Sequence, residues 1–323
     1  MGKNINMATV GKIILLIVTI AWGSSFVVLK DTLTAFGNGN FTFLVLAMRF
    51  IISGLALVAI FWKKFITINK KTFLNGLMLG VILFLAYGIQ TIGLNYTTPS
   101  KNAFLTSVYC VLVPFLSWLI LKKKPRVSNV VAGIMSIVGI ALVALVRKDE
   151  HGSQELLGDG LTILSGLFYA LQIIFIAKNA KEDDATQLLI VEILTVAVLC
   201  LLLSAVIEFP HHYKELSFSG EIVWKILYLA LVCTLFAQGG QMFAQKHVQP
   251  TAIALIFSLE AVFGVIFELI LGDAKLNSYM IIGFAVIFLA QIISEVGFTQ
   301  IISLINKRKS TKLNEEEQTK NNS

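Results

Sequence analysis

The chain has 323 residues, of which 56% are hydrophobic and only 14% are charged. Water-soluble domains carry about 25% charged residues, so this composition excludes a soluble protein and indicates a protein of the lipid bilayer. The net charge of +7 comes from short basic clusters between apolar runs, which is typical of cytoplasmic loops and argues against a nucleic-acid partner. The three cysteines lie inside apolar runs, so we predict no disulfide, no metal site and no cofactor.

Ten apolar runs follow one another along the chain, each close to the roughly 20 residues that a helix needs to cross the hydrocarbon core. They lie at about 12–34, 40–62, 73–95, 101–121, 128–146, 157–178, 185–208, 222–246, 251–271 and 278–300. We therefore predict an all-α integral membrane protein with ten transmembrane helices. The last segment, 306–323, is polar and is predicted to be a disordered tail.

The distribution of basic residues predicts the orientation in the membrane. Ten spans place both termini on the same side, and Lys and Arg concentrate on that side, for example in 63–71, 122–126 and 307–312. The loops on the other side of the membrane contain few basic residues, among them Lys30 and Lys101. The positive-inside rule therefore predicts cytoplasmic termini and a multi-pass protein of the cell membrane.

The two halves of the chain contain a repeated pattern. The segment Gln90–Pro99 matches Gln241–Pro250 at an offset of 151 residues, and each forms the end of one apolar run before a turn with proline. Further pairs at this offset are Gly88 and Gly239, Ala103 and Ala254, and Ser107 and Ser258. The two copies of the repeat are 12–146 and 157–300, and each contains five spans. Because five is an odd number, the two copies must enter the membrane in opposite directions. Inverted repeats around a central cavity are the architecture of secondary transporters.

Several motifs resemble those of EamA-type proteins in the drug/metabolite transporter superfamily. They are Ala21–Phe26, Arg49-Phe50, Gly93–Leu105, Val113-Pro114, the basic run 122–126, Ser258–Val262 and Leu271–Asp273. The resemblance covers about residues 12 to 300, although Ala261 stands where the family usually has proline. It implies two inverted five-helix repeats around a cavity lined by helices one to four and six to nine. Known members mostly move amino acids, small metabolites or cationic compounds.

Charged residues inside the apolar runs are costly, so each needs a physical reason. Arg49 lies deep in the second run, where it could bind an anionic group of a substrate or serve as a structural anchor on helix-end carbonyls. Glu260 and Glu192 are candidates for proton coupling, because a carboxyl group in apolar surroundings favours its protonated form. Glu260 could also bind a substrate ammonium or simply bond to a neighbouring helix. Glu208, near a helix end, is expected to be solvated.

Pairs of aromatic and polar residues recur at helical spacing in helices that the repeat relates. Such faces could line a cavity that holds an amine or amino acid by cation–π and hydrogen-bond contacts, or they could pack between helices. The predicted substrate-binding residues are Trp22, Ser25, Tyr87, Gln90, Tyr169, Gln172, Gln238 and Gln241, together with Arg49. Pro114 is predicted to kink the fourth helix and could act as a gating hinge.

These features predict a secondary transporter that moves a small polar metabolite across the cell membrane by alternating access, most simply an exporter of an amino acid or amine. Transport of quaternary amines or drug-like cations is the alternative. An intramembrane enzyme is a remote third, because the histidines lie in loops or at helix ends without an acid cluster. The chain lacks a Walker A motif, so we predict that ATP does not drive transport directly and that the energy comes from the substrate gradient or from protons coupled through Glu260 or Glu192. The sequence makes no prediction of oligomeric state.

Overall fold

The computed structural model describes residues 6–144, 152–216, 218–272 and 277–297, and these residues form helices and connecting turns. The predicted tail 306–323 lies outside the described residues. The helices of the first half are α1 (Met7–Ala35), α2 (Thr42–Ile60), α3 (Lys70–Tyr96), α4 (Pro99–Leu121) and α5 (Val127–Ala144). Those of the second half are α6 (Gly152–Asn179), α7 (Ala185–Glu215), α8 (Gly220–Gln245), α9 (Pro250–Leu271) and α10 (Ser278–Val296).

Eight of these helices are long and apolar enough to cross a membrane. The remaining two, α5 and α10, contain shorter apolar stretches of 127–139 and 281–290 within the described residues. The all-α membrane fold is therefore confirmed, and the membrane-spanning role of α5 and α10 stays a prediction.

Helices at equivalent positions of the two repeats contact each other and run antiparallel. Just after α2, the ammonium group of Lys64 lies 2.8 Å from Asp184, which precedes α7. At the other end of this pair, the backbone N–H of Phe43 donates to Glu208 at 2.6 Å. In the same way Ser100, near the start of α4, donates its backbone N–H to Glu268 near the end of α9.

Two side-chain contacts join residues that are 151 positions apart, the offset of the sequence repeat. The Tyr87 hydroxyl lies 3.3 Å from the Gln238 amide, and the Tyr109 hydroxyl lies 3.3 Å from the Glu260 carboxyl group. These two contacts therefore mark where the two halves meet.

The halves are interleaved through small residues, since α1 packs against α8 and α9, while α6 packs against α3 and α4. A methyl group placed on Gly93 of α3 would lie only 2.9 Å from the carbonyl oxygen of Gly158 in α6. Likewise, a methyl group on Gly11 of α1 would lie 3.0 Å from the side chain of Val248, just after α8. Glycine at these positions permits the close approach of helices that lack a hydrophobic driving force in lipid.

Two charged residues are less exposed than the sequence predicted. Glu208 is buried and accepts hydrogen bonds from the backbone N–H groups of Phe43 and Leu44, so the expectation that it is solvated is wrong. The reason is that α2 has no side-chain cap of its own, and an acid from α7 stabilises its free N–H groups instead. Lys101, expected in an exposed loop, is also buried and pairs with Glu155 and Asp159 of α6.

Candidate functional site

A cavity lies where helices of both halves meet. The sequence-predicted residues that line it are Trp22, Ser25, Tyr87, Gln90, Tyr169, Gln172, Gln241 and Glu260. The other lining residues are Phe26, Thr106, Tyr109, Ile173 and Phe257, which the sequence analysis did not single out. Most of these side chains are less than one-tenth exposed, so the cavity lies in the interior of the protein.

Aromatic rings from five helices form much of the wall. The ring of Trp22 in α1 meets the edge of Phe257 in α9, with centroids 4.8 Å apart. Tyr169 of α6 contacts Tyr87 of α3 at 5.6 Å and Tyr109 of α4 at 6.5 Å, both in edge-on geometry. Such rings present a negative face to a cation and a large apolar surface to the body of a ligand.

The amide side chains of the wall are held in place by hydrogen bonds across helices. Gln90 donates to the Thr106 hydroxyl at 3.0 Å and accepts from the Tyr169 hydroxyl at 2.7 Å. On the opposite wall, Gln241 donates to Gln172 at 2.9 Å. These bonds link α3, α4 and α6 on one side and α6 with α8 on the other, which fixes the orientation of the polar groups in the cavity.

Glu260 provides the single carboxyl group of the cavity wall. It follows the break in α9 at Ser258, where the helix ends at Phe257 and starts again at Leu259. The side chain is 9% exposed, and its carboxyl oxygen accepts from the Tyr109 hydroxyl at 3.3 Å. Among the described residues that line the cavity, none is Lys, Arg or His, so the charge that an ionised Glu260 adds is not neutralised within the wall.

The sequence comparisons identify the family to which this arrangement belongs. The model described as "EamA-like transporter family" matches residues 9–145 and again 156–295. The chain belongs to the EamA-like transporter family. The two matches give its two repeats, and family membership with the apolar helices identifies it as a multi-pass membrane protein of a transporter family.

Curated relatives of this EamA-like protein are also named as transporters. An "Uncharacterized transporter" of Archaeoglobus fulgidus is 30% identical over 159 residues, covering 49% of this chain and 46% of the relative. The "Uncharacterized transporter YvbV" of Bacillus subtilis is 27% identical over 167 residues, covering 50% of this chain and 52% of that protein. The chain thus spans about half the length of the curated relatives it matches. A protein of known crystal structure shares the fold, with a TM-score of 0.69 at 14% identity over 89% of this chain and 98% of that one.

Arg49 of this EamA-like chain does not line the cavity but lies behind Tyr87, fully buried. Its guanidinium donates to the Thr234 hydroxyl and to the carbonyl oxygen of Cys233 at 3.0 Å, and its centre lies 4.9 Å from the Tyr87 ring. Of the two interpretations of Arg49, this placement favours the structural anchor.

The partners of Arg49 belong to a π-helical segment in the middle of α8, Leu231–Phe236. The carbonyl oxygen of Cys233 accepts from Arg49 and also from the Trp22 indole at 2.9 Å, and that of Ala230 accepts from Ser53 at 2.7 Å. Wider helical turns expose carbonyl groups and often occur at functional sites. The segment thereby positions one wall of the cavity, and no local sequence signal marks it.

Three further predicted residues lie outside the cavity wall. Gln238 donates to the Tyr87 hydroxyl at 3.3 Å and so supports a lining residue. Glu192 contacts the cavity indirectly, because it accepts from Gln172 at 2.9 Å. Pro114 lies apart, beside a second cavity of about 690 Å³ that also contacts the basic run 122–126. In the part of the chain that the structure describes, no group of three His, Cys, Asp or Glu side chains could hold a metal ion.

Proposed function

We propose that this protein is a secondary transporter that carries a small amine-bearing solute across the membrane by alternating access. The observation that carries the proposal is the interior cavity between the two repeats, with one carboxyl group among aromatic rings and amide side chains. The antiparallel pairing of α2 with α7 and of α4 with α9 supports two halves of opposite orientation in the bilayer, with both termini on the cytoplasmic side as the basic loops predict.

The chemistry of the wall favours an ammonium group as the feature that is recognised. Glu260 offers a charge-assisted hydrogen bond, and the rings of Trp22, Tyr109 and Tyr169 offer cation–π contacts. The carboxylate of an amino acid would find amide and hydroxyl donors but no cationic partner in this wall, because Arg49 is held behind Tyr87. An amine or organic cation therefore fits better than a zwitterion, and amino acid export becomes the second candidate.

The proposal is tested by counterflow in liposomes that contain the purified protein. Labelled primary amines, quaternary amines and amino acids are offered to vesicles preloaded with the unlabelled compound. We expect saturable counterflow for amines. A flux that rises linearly without saturation would indicate a channel, and chemical turnover without transport would indicate an enzyme; either result would overturn the proposal.

The role of Glu260 is tested with the Glu260→Gln variant, which keeps the shape of the side chain. A hydrogen bond to a charged group contributes about 1.5–3 kcal/mol, so we expect the affinity for amines to fall about 10- to 100-fold. Glu221→Gln, which alters an exposed acid at the start of α8, is the matched control and should leave the affinity unchanged. Unchanged amine affinity in Glu260→Gln would refute the assignment of the ammonium to this carboxyl group.

A further inference from the structure

Glu192 is a buried acid that the cavity itself does not use. It lies two turns into α7 and has no exposed surface. Its backbone packs against α3 so closely that a methyl group on Gly80 would lie 2.9 Å from the Glu192 carbonyl oxygen. The side chain points toward α6, where one carboxyl oxygen, Oε1, accepts from the Gln172 amide at 2.9 Å. A buried acid at this depth in a membrane protein is costly, so it calls for a functional explanation.

A chain of amide groups connects this acid to the cavity wall. Gln172 donates to Glu192 and accepts from Gln241, and both glutamines line the cavity. Along this chain the second carboxyl oxygen of Glu192, Oε2, and the side-chain oxygen of Gln241 are buried and have no hydrogen-bond partner among the described residues. The same holds for both polar atoms of Gln245, one turn further along α8. The atoms of this cluster without a partner are therefore three oxygens, on Glu192, Gln241 and Gln245, and one nitrogen, on Gln245.

The charged and titratable groups of the surrounding helices do not neutralise Glu192. From α2, Arg49 is directed to Cys233, Thr234 and Tyr87. From α3 and α6, the hydroxyls of Tyr87 and Tyr169 bond to Gln238 and Gln90, and from α8 the Cys233 thiol donates to the Ala21 carbonyl. Within the described residues Glu192 thus forms no ion pair. A single proton on Oε2 would remove an unpaired buried charge and would let this oxygen donate to an acceptor that has no partner, such as the side-chain oxygen of Gln241.

We propose that Glu192 is the binding site of the proton that drives transport, separate from Glu260, which binds the substrate. The proton comes from the aqueous phase on the side to which the protein is open, forms an O–H bond at Oε2, and leaves to the other side when the protein has changed conformation. This inference rests on the proposed function and assigns its energy source to a named residue.

The amide chain explains how proton and substrate are linked. With the proton bound, Oε1 accepts from Gln172 while the O–H group at Oε2 can donate to an amide oxygen. Without the proton, both carboxyl oxygens are acceptors, and the amide of Gln241, one hydrogen bond away, is drawn from Gln172 toward Glu192. Since Gln172 and Gln241 form part of the cavity wall, loss of the proton changes the hydrogen bonds that are offered to the substrate.

The experiment compares two modes of transport in liposomes. Counterflow needs no driving force, whereas accumulation against a gradient needs the coupling ion. For the Glu192→Gln variant, whose amide is uncharged and can donate a hydrogen bond like the protonated carboxyl group, we expect counterflow within about twofold of the unaltered protein and complete loss of accumulation driven by a pH gradient. Glu182→Gln, which alters an exposed acid before α7, is the matched control and should keep both modes.

Several outcomes would overturn the inference. Full pH-driven accumulation by Glu192→Gln would remove this residue from coupling, and accumulation by the unaltered protein that follows a Na⁺ gradient and ignores pH would exclude the proton. If Glu192→Gln does not fold, the unaltered protein still provides a test, because amine flux must move protons that an entrapped pH dye detects; a silent dye refutes proton coupling. Counterflow without any pH response would leave the proposed function intact, whereas absence of counterflow would overturn the proposed function itself.

Discussion

The buried ionic cluster at the start of α4 gives the sharpest prediction about stability. The Lys101 ammonium group lies 2.8 Å from Glu155 and 2.9 Å from Asp159, and the side chains are only 4%, 10% and 9% exposed. In the Lys101→Met variant the two acids of α6 keep their burial but lose their cation. Breaking a buried ion pair by removing one partner costs about 3–5 kcal/mol, so we expect a loss of that size in the free energy of unfolding.

Unfolding by SDS in mixed detergent micelles, followed by circular dichroism, measures this loss. The triple variant Lys101→Met/Glu155→Gln/Asp159→Asn removes all three charges and should recover most of the stability, because burial of unpaired charge causes the loss. Lys71→Met, which breaks an exposed pair with Glu182, is the control and should unfold like the parent. If Lys101→Met loses less than about 1 kcal/mol, or if the triple variant is no more stable than the single one, the reasoning is wrong.

Two further predictions concern packing and capping. Gly93→Ala should destabilise the protein by about 1–3 kcal/mol in the same unfolding assay, because the added methyl group would lie 2.6 Å from the Thr162 hydroxyl. Gly160→Ala is the control, because Gly160 has open space around it, and this variant should be neutral or stabilising. Equal losses of stability in the two variants would refute the packing argument. Asp184→Ala should cost about 0.5–2 kcal/mol, since Asp184 caps α7. Partial burial alone would raise the pKa of the Asp184 carboxyl group. Hydrogen bonds from Lys64 and two backbone N–H groups have the larger combined effect and lower this pKa. The contribution of Asp184 should therefore be present at neutral pH and disappear as the pH falls through the lowered pKa, so the parent and Asp184→Ala should converge in unfolding assays below about pH 5.

The helices could be predicted from the sequence because their signal is local. For example, the run predicted at 185–208 begins at the observed start of α7, and the run at 278–300 begins at that of α10. Apolar length and turn residues fix such boundaries without knowledge of any partner. The aromatic and amide residues of the cavity could also be predicted, because helical spacing and the repeat place them on corresponding faces.

The residues whose surroundings could not be predicted from the sequence have partners that are far away in the chain. Lys101 was placed in a loop because its two acidic partners lie in α6, far away in the sequence. Glu208 was expected to be solvated because the free N–H groups that it binds lie in α2. Arg49 finds its acceptors in a π-helical segment some 180 residues later, and that segment has no sequence signature. Tyr109 was predictable in principle, because the repeat offset of 151 residues leads directly from Glu260 to it.

The contact between Tyr109 and Glu260 also determines how much charge the cavity can contain. Were the two halves identical in sequence, an acid on the axis would face its own copy, and two carboxylates at about 3 Å would repel each other and compete for one proton. Because the halves differ, a phenol faces the acid instead. The divergence of the repeats thus leaves a single acid at this contact, which is the number that the proposed recognition of one ammonium group requires.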